Sequence, residues 1–155
     1  MGLLSKKDTD SEKDFATEFH FPTSDKVLLI FTRNPELGKV KTRLAGGVGD
    51  ASALEIYKFL LQHTVSITQN LSVDKQVFYS EKIRASDYWD ENTFTKKLQH
   101  GDDLGARMQK AFSGAFASGY KKAIIIGSDM YDLSEKDLEE AFAALDENDF
   151  VVGPA

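Results

Sequence analysis

A chain of 155 residues, 41% hydrophobic and 28% charged, has the balance of one globular domain. It contains no cysteine, which excludes disulfide scaffolds, thiolate metal sites and cysteine nucleophiles and fits a cytoplasmic location. Its net charge of -6 argues against nucleic acid as a partner, and apolar runs of only about five residues fall far short of the ~20 needed to span a bilayer.

Residues 1–25 mix charges with Phe15, Phe19, Phe21 and Pro22 without a sustained period and read as a poorly ordered N-terminal segment. A folded domain is expected over 26–155. It opens with Val27–Phe31, a continuous apolar run typical of a strand covered on both faces. Leu54, Tyr57, Leu61 and Val65 then recur at helical spacing, widened by Ile56, Leu60 and Ile67, and predict an amphipathic helix over 50–69. Gln76–Tyr79 is a second strand. Residues 81–98 show no clear period, and Trp89 is placed there as an anchor of a helix or loop on the surface.

Leu104, Met108, Phe112 and Phe116, each four residues apart, predict a second helix with those four as its core stripe and Gly119 as its C-cap. Ala123–Ile126 is a third strand. Ser134, with Asp137 three residues on, opens a third helix that buries Leu138, Phe142 and Leu145. A fourth strand is expected at Asp149–Val152, running into Gly153-Pro154-Ala155. Strands that alternate with helices imply an α/β fold with a mostly parallel sheet, because parallel neighbours need a crossover.

Such sheets bind ligands beyond the carboxyl ends of their strands, which directs attention to three segments. The first, Thr32–Leu44, carries Arg33, Lys39, Lys41 and Arg43 against one anion, Glu36, in an otherwise acidic chain. Pro35 and Gly38 impose a turn that lets backbone amides approach a ligand, and the cations suit a di- or triphosphate. It is not a P-loop: Val40 stands where Ser or Thr is required, and Arg33 occupies the position of the upstream glycine. The second segment, Gly127–Asp132, places Asp129 at a strand's carboxyl edge, where one carboxylate beside a phosphate suffices for Mg2+. Asp132 is as well explained by helix capping. The third, Gln99–Met108, opens the second helix with Asp102 and Asp103, and capping explains one of the two. Gly105 in the first helical turn suggests close backbone approach. His20, His63 and His100 have no catalytic or ligand spacing.

In these segments the chain resembles the DUF2064 family, described as selenodomain- or radical-SAM-associated transferases of the nucleotide-diphospho-sugar transferase (GT-A) superfamily. The carrying stretches are Leu29–Ala45 with GKVKTRLA, Gln99–Met108 with DLGARM, Ile125–Asp129, and Val152–Ala155. The resemblance implies a Rossmann-like GT-A fold. It implies that Arg33, Gly38, Lys39, Lys41 and Arg43 meet the nucleotide and that Gln99, Gly101, Asp103 and Arg107 frame its base or ribose side. Asp129 would hold Mg2+ or Mn2+ and act in catalysis with Lys41. Family members usually read Ser-Asp-Cys-Pro where this chain has Ser128-Asp129-Met130-Tyr131, and they continue past Gly-Pro-Ala into a DGGYY-like stretch, so the domain reads as incomplete at its C-terminus. The expected function is a metal-dependent glycosyltransferase-like transferase that binds a nucleotide or nucleotide sugar and acts on a small-molecule acceptor the sequence does not identify. A guanylyltransferase-like nucleotidyltransferase and a non-catalytic nucleotide-binding module are the alternatives.

Overall fold

A computed structural model describes residues 21–34 and 46–148. In chain order these form β1 (Lys26–Thr32), α1 (Asp50–Thr68), β2 (Asp74–Tyr79), β3 (Thr95–Leu98), α2 (Leu104–Ala117), β4 (Lys122–Gly127) and α3 (Glu135–Leu145). The strands make one sheet in the order β3-β2-β1-β4 with every neighbouring pair parallel. The protein is thus an α/β fold with a four-stranded parallel sheet flanked by helices. The expected strand at 149–152 lies outside the described residues.

β1 occupies the interior of the sheet, and Val27, Leu28, Leu29 and Ile30 are fully buried, as its unbroken apolar run requires. Alternation splits them between two cores. Leu28 and Ile30 pack with Tyr57 and Leu61 of α1 and Leu138 and Phe142 of α3, while Val27 and Leu29 pack with Ala111 and Ala115 of α2. α1 and α3 therefore cover one face and α2 the other. Before β1, the Thr23 backbone N–H donates to Asp74 at 2.7 Å, and the Asp25 carbonyl accepts from the backbone of Lys121 and Lys122.

Two helix ends follow their sequence signals. Gly119 sits one residue past the cap Ser118 of α2 with φ 108°, and Ser134 with Asp137 forms a reciprocal capping box on α3. The apolar stripe of α2 needs correction: Leu104 is 63% and Phe116 52% exposed. A strict four-residue repeat drifts ~40° per step on a 3.6-residue helix, so its ends rotate off the contact face. The small Ala111 and Ala115 face the sheet instead, with Phe112 packed beside them.

Trp89 also departs from expectation, being buried at 2% exposure with its ring edge-on to Phe94 at 5.1 Å. Strand β3 has no expected counterpart. Its residues, Thr-Lys-Lys-Leu, lack an apolar pattern because Lys96 is buried as an ion. The Lys96 ammonium donates to the Arg84 carbonyl at 2.6 Å, the Ala85 carbonyl at 3.2 Å and the Asp87 carboxylate at 3.0 Å, which makes its burial tolerable.

Candidate functional site at the carboxyl edge of the sheet

The strand register fixes what gathers at the carboxyl edge. Phe31 aligns with Phe78 and with Gly127, and Phe78 aligns with Lys97. Two residues later, just past the strand ends, the four chains reach Arg33, Ser80, Gln99 and Asp129, and the first three line one cleft. The row between them, Thr32, Tyr79, Leu98 and Ser128, turns toward α1.

On the α1 side the edge is closed by hydroxyl groups. The Tyr57 hydroxyl lies 2.9 Å from Ser128 Oγ and 3.3 Å from Thr32 Oγ1, and Ser128 Oγ donates to Thr32 Oγ1 at 3.0 Å. The backbone N–H of Arg33 donates to the Tyr57 oxygen at 2.9 Å, and the Tyr57 O–H reaches the Arg33 carbonyl at 3.2 Å. Thr64 Oγ1 donates to the Ser128 carbonyl at 3.0 Å. The turn that carries Asp129 is thereby fastened to α1.

On the α2 side the edge opens into a cleft of about 360 Å³ lined by Phe31, Thr32, Arg33, Ser80, Gln99, Asp102, Asp103, Leu104 and Arg107. Side chains at its wall bond carbonyls at the strand ends. The Gln99 amide donates to the carbonyls of Phe78 at 2.9 Å and Thr32 at 3.3 Å, and its oxygen accepts from Arg107 at 3.1 Å. Arg107 also donates to the carbonyls of Gly101 at 3.0 Å and Ser80 at 3.4 Å. Gln99 and Arg107 converge, and they hold one another and the strand ends.

Gly101 has φ 141°, and a Cβ there would lie 2.8 Å from the Arg107 backbone nitrogen, so a side chain would collide with the first turn of α2. Asp103 caps that helix, accepting from the Ala106 N–H at 2.7 Å. Gly105 is less constrained, since its Cβ would stand 3.4 Å from Asp103 Oδ1. Arg33 and Leu104 are exposed at the cleft mouth.

Asp129 is exposed, with its carboxylate over Gly127: Oδ1 lies 3.1 Å from the position of a Cβ on that glycine. Because Gly127 pairs with Phe31, a cleft residue, the carboxylate stands on the α2 face of the sheet. Ser134, two residues after Asp132, supplies the α3 cap. The His63 ring nitrogen is 3.1 Å from the Leu133 carbonyl, and His100 is exposed. Among the described residues no cluster of three or more His, Cys, Asp or Glu is placed to hold a metal. One carboxylate suffices for Mg2+ where phosphate oxygens and water supply its other ligands, so Asp129 is the described residue that could hold such an ion. Gly38, Lys39, Lys41 and Arg43 lie outside the described residues.

Sequence reasoning missed Tyr57, Thr64 and Ser128. Tyr57 reads as one more member of an apolar stripe, and Ser128 as a spacer before Asp129. One signal was present: Tyr57 and Thr64 stand seven residues apart on the buried side of α1, where a hydroxyl needs a partner.

A family model described as an uncharacterized protein conserved in bacteria (DUF2064) matches residues 63–155. The chain belongs to the DUF2064 family. Three solved chains match the DUF2064 chain. One is the crystal structure of a "putative nucleotide-diphospho-sugar transferase" from Desulfovibrio desulfuricans G20, 29% identical, with a TM-score of 0.72. The match covers 81% of the DUF2064 chain and 56% of that neighbour, so this chain spans little more than half the neighbour's length. No curated protein matches. Among the described residues no helix is long and apolar enough to cross a membrane.

Proposed function

We propose that this DUF2064 chain carries the nucleotide-binding part of a metal-dependent transferase, with a nucleotide sugar as donor and a small molecule as acceptor. The observation that supports the reading is the pairing of β1 with β4 up to Phe31 and Gly127: Arg33 and Asp129 each follow two residues on at the same carboxyl edge of the sheet, and Arg33 lines the cleft there. A cation and a carboxylate set at one rim suit a polyphosphate with its divalent ion. The structural neighbour's description as a nucleotide-diphospho-sugar transferase points to the same class.

In this reading Arg33, Lys39, Lys41 and Arg43 bind the phosphates, with Gly38 providing the turn, and Lys41 assists departure of the leaving group. Asp129 holds Mg2+ or Mn2+, which when bound supplies neutralising charge to the phosphates. Gln99, Gly101, Asp103 and Arg107 shape the wall for the base and ribose. Catalysis is then positional and electrostatic, with no covalent nucleophile: the acceptor attacks the anomeric carbon, and nucleoside diphosphate departs.

The test is incubation of the full-length protein with UDP-sugars, UTP and GTP in the presence of Mn2+. Release of nucleoside diphosphate supports the proposal, and release of pyrophosphate reassigns the protein to nucleotidyl transfer. Metal-dependent binding without turnover makes it a binding module, and failure to bind any nucleotide overturns the reading. Lys41→Ala is expected to weaken binding most at low ionic strength, where phosphate contacts are least screened.

A further inference from the structure

Arg33, just after β1, and Ser128, just after β4, meet at one buried group. Tyr57 is 3% exposed and projects from α1 among apolar neighbours. Its oxygen is within 3.3 Å of Arg33 N, Arg33 O, Thr32 Oγ1 and Ser128 Oγ. Arg33 opens the basic loop, and Ser128 immediately precedes Asp129.

A phenol has one proton and two acceptor positions, so these four groups compete for a single hydroxyl. The Arg33 N–H takes one acceptor position. Tyr57, Ser128 and Thr32 can donate around a three-membered ring, each hydroxyl to the next, with oxygens 2.9 to 3.3 Å apart. Bonds in such a chain polarise one another, so a shift of the Arg33 backbone alters the bond that holds Ser128, and the reverse. Thr32 and Ser128 are buried like Tyr57, so the three hydroxyls bond chiefly to one another. Thr64 fixes the Ser128 carbonyl from the same helix, leaving the Ser128 hydroxyl as the adjustable contact.

We infer that Tyr57 is a positioning residue that couples the Arg33 backbone to the turn that carries Asp129, so that the gain in nucleotide affinity on adding a divalent ion depends on its hydroxyl. The inference rests on the function proposed above. Tyr57 touches neither ligand; it acts through the Arg33 backbone and the turn that carries Asp129.

The test is calorimetric titration of the full chain with UDP and GDP, with and without Mn2+, in the wild type and in Tyr57→Phe, which keeps the ring packing and removes only the hydroxyl. The quantity read is the gain in nucleotide affinity on adding Mn2+. The gain is expected to fall about five- to tenfold in Tyr57→Phe, the ordinary scale of coupling between two sites, while metal-free affinity changes less than about twofold. An unchanged gain in Tyr57→Phe overturns this inference and leaves the proposed function standing. A wild type that binds neither nucleotide under either condition removes the proposed function and this inference with it. Should Tyr57→Phe fail to melt cooperatively, Ser128→Ala decides by the same ratio, since it opens the ring while the Arg33 N–H keeps its acceptor.

Discussion

The two ends of the sheet each carry an aspartate, and the protein treats them in opposite ways. At the amino end Asp74 accepts hydrogen bonds from the Thr23 backbone, the Thr23 hydroxyl and Tyr120, the last at 2.6 Å. Burial alone would raise its pKa, but the bonds from Thr23 and Tyr120 outweigh that and hold it below the ordinary 3.8. The Tyr120 hydroxyl is in turn pushed above the tyrosine range, by burial first and by Asp74 second. At the carboxyl end Asp129 is exposed, and carbonyls at the nearby strand ends accept from Gln99 and Arg107. One carboxylate ties two segments of the fold together through several donors, whereas the other stands in solvent at the edge where the cleft opens.

Substitutions sharpen this contrast. Asp74→Ala should cost about 2–3 kcal/mol, because it strands donors from Thr23 and Tyr120, and urea unfolding measures it. The same group makes stability acid-sensitive: its folded pKa is depressed, so its contribution is present above the unfolded value near 3.8 and is lost as pH falls through the folded value. Asp74→Asn should therefore flatten the stability profile in that acidic range.

Arg107→Ala at the other end should cost about 1–2 kcal/mol, since it leaves the Gln99 oxygen and the Gly101 carbonyl without their donor. Asp129→Asn should change stability by less than about 0.5 kcal/mol while abolishing the Mn2+-dependent gain in nucleotide binding. A loss of stability there as large as that of Asp74→Ala would erase the distinction between the two ends. Gly127→Ala should have the smallest effect: its Cβ crowds Asp129 Oδ1, displacing the carboxylate by a few tenths of an ångström and weakening Mn2+ binding with the melting curve unchanged.

Most of the fold was legible because apolar runs and helical stripes report burial directly. Val27–Phe31, Gln76–Tyr79 and Ala123–Ile126 all lie within strands of one parallel sheet. Strand β3 stayed hidden because its buried position is a lysine whose charge is met by loop carbonyls and Asp87, a solution that tertiary structure supplies and pattern does not. At the site, only the family resemblance named Arg33, Gln99, Asp103 and Arg107 together, and all four line the cleft. Their division of labour was not legible, because it depends on which carbonyls the register brings within reach of Gln99 and Arg107. Tyr57 escaped for the same reason: its hydroxyl acquires meaning only when β1 and β4 lie side by side.

The strand order also has a consequence for synthesis on the ribosome. β1 is completed early, yet one of its two neighbours, β4, begins only at Lys122, which pairs with Lys26. Until that segment emerges, one flank of the most apolar strand presents unpaired amides and carbonyls, a template for pairing with another nascent chain. Premature termination before β4 would therefore yield products prone to aggregate, and distant pairing of this kind slows folding relative to a fold built from local contacts.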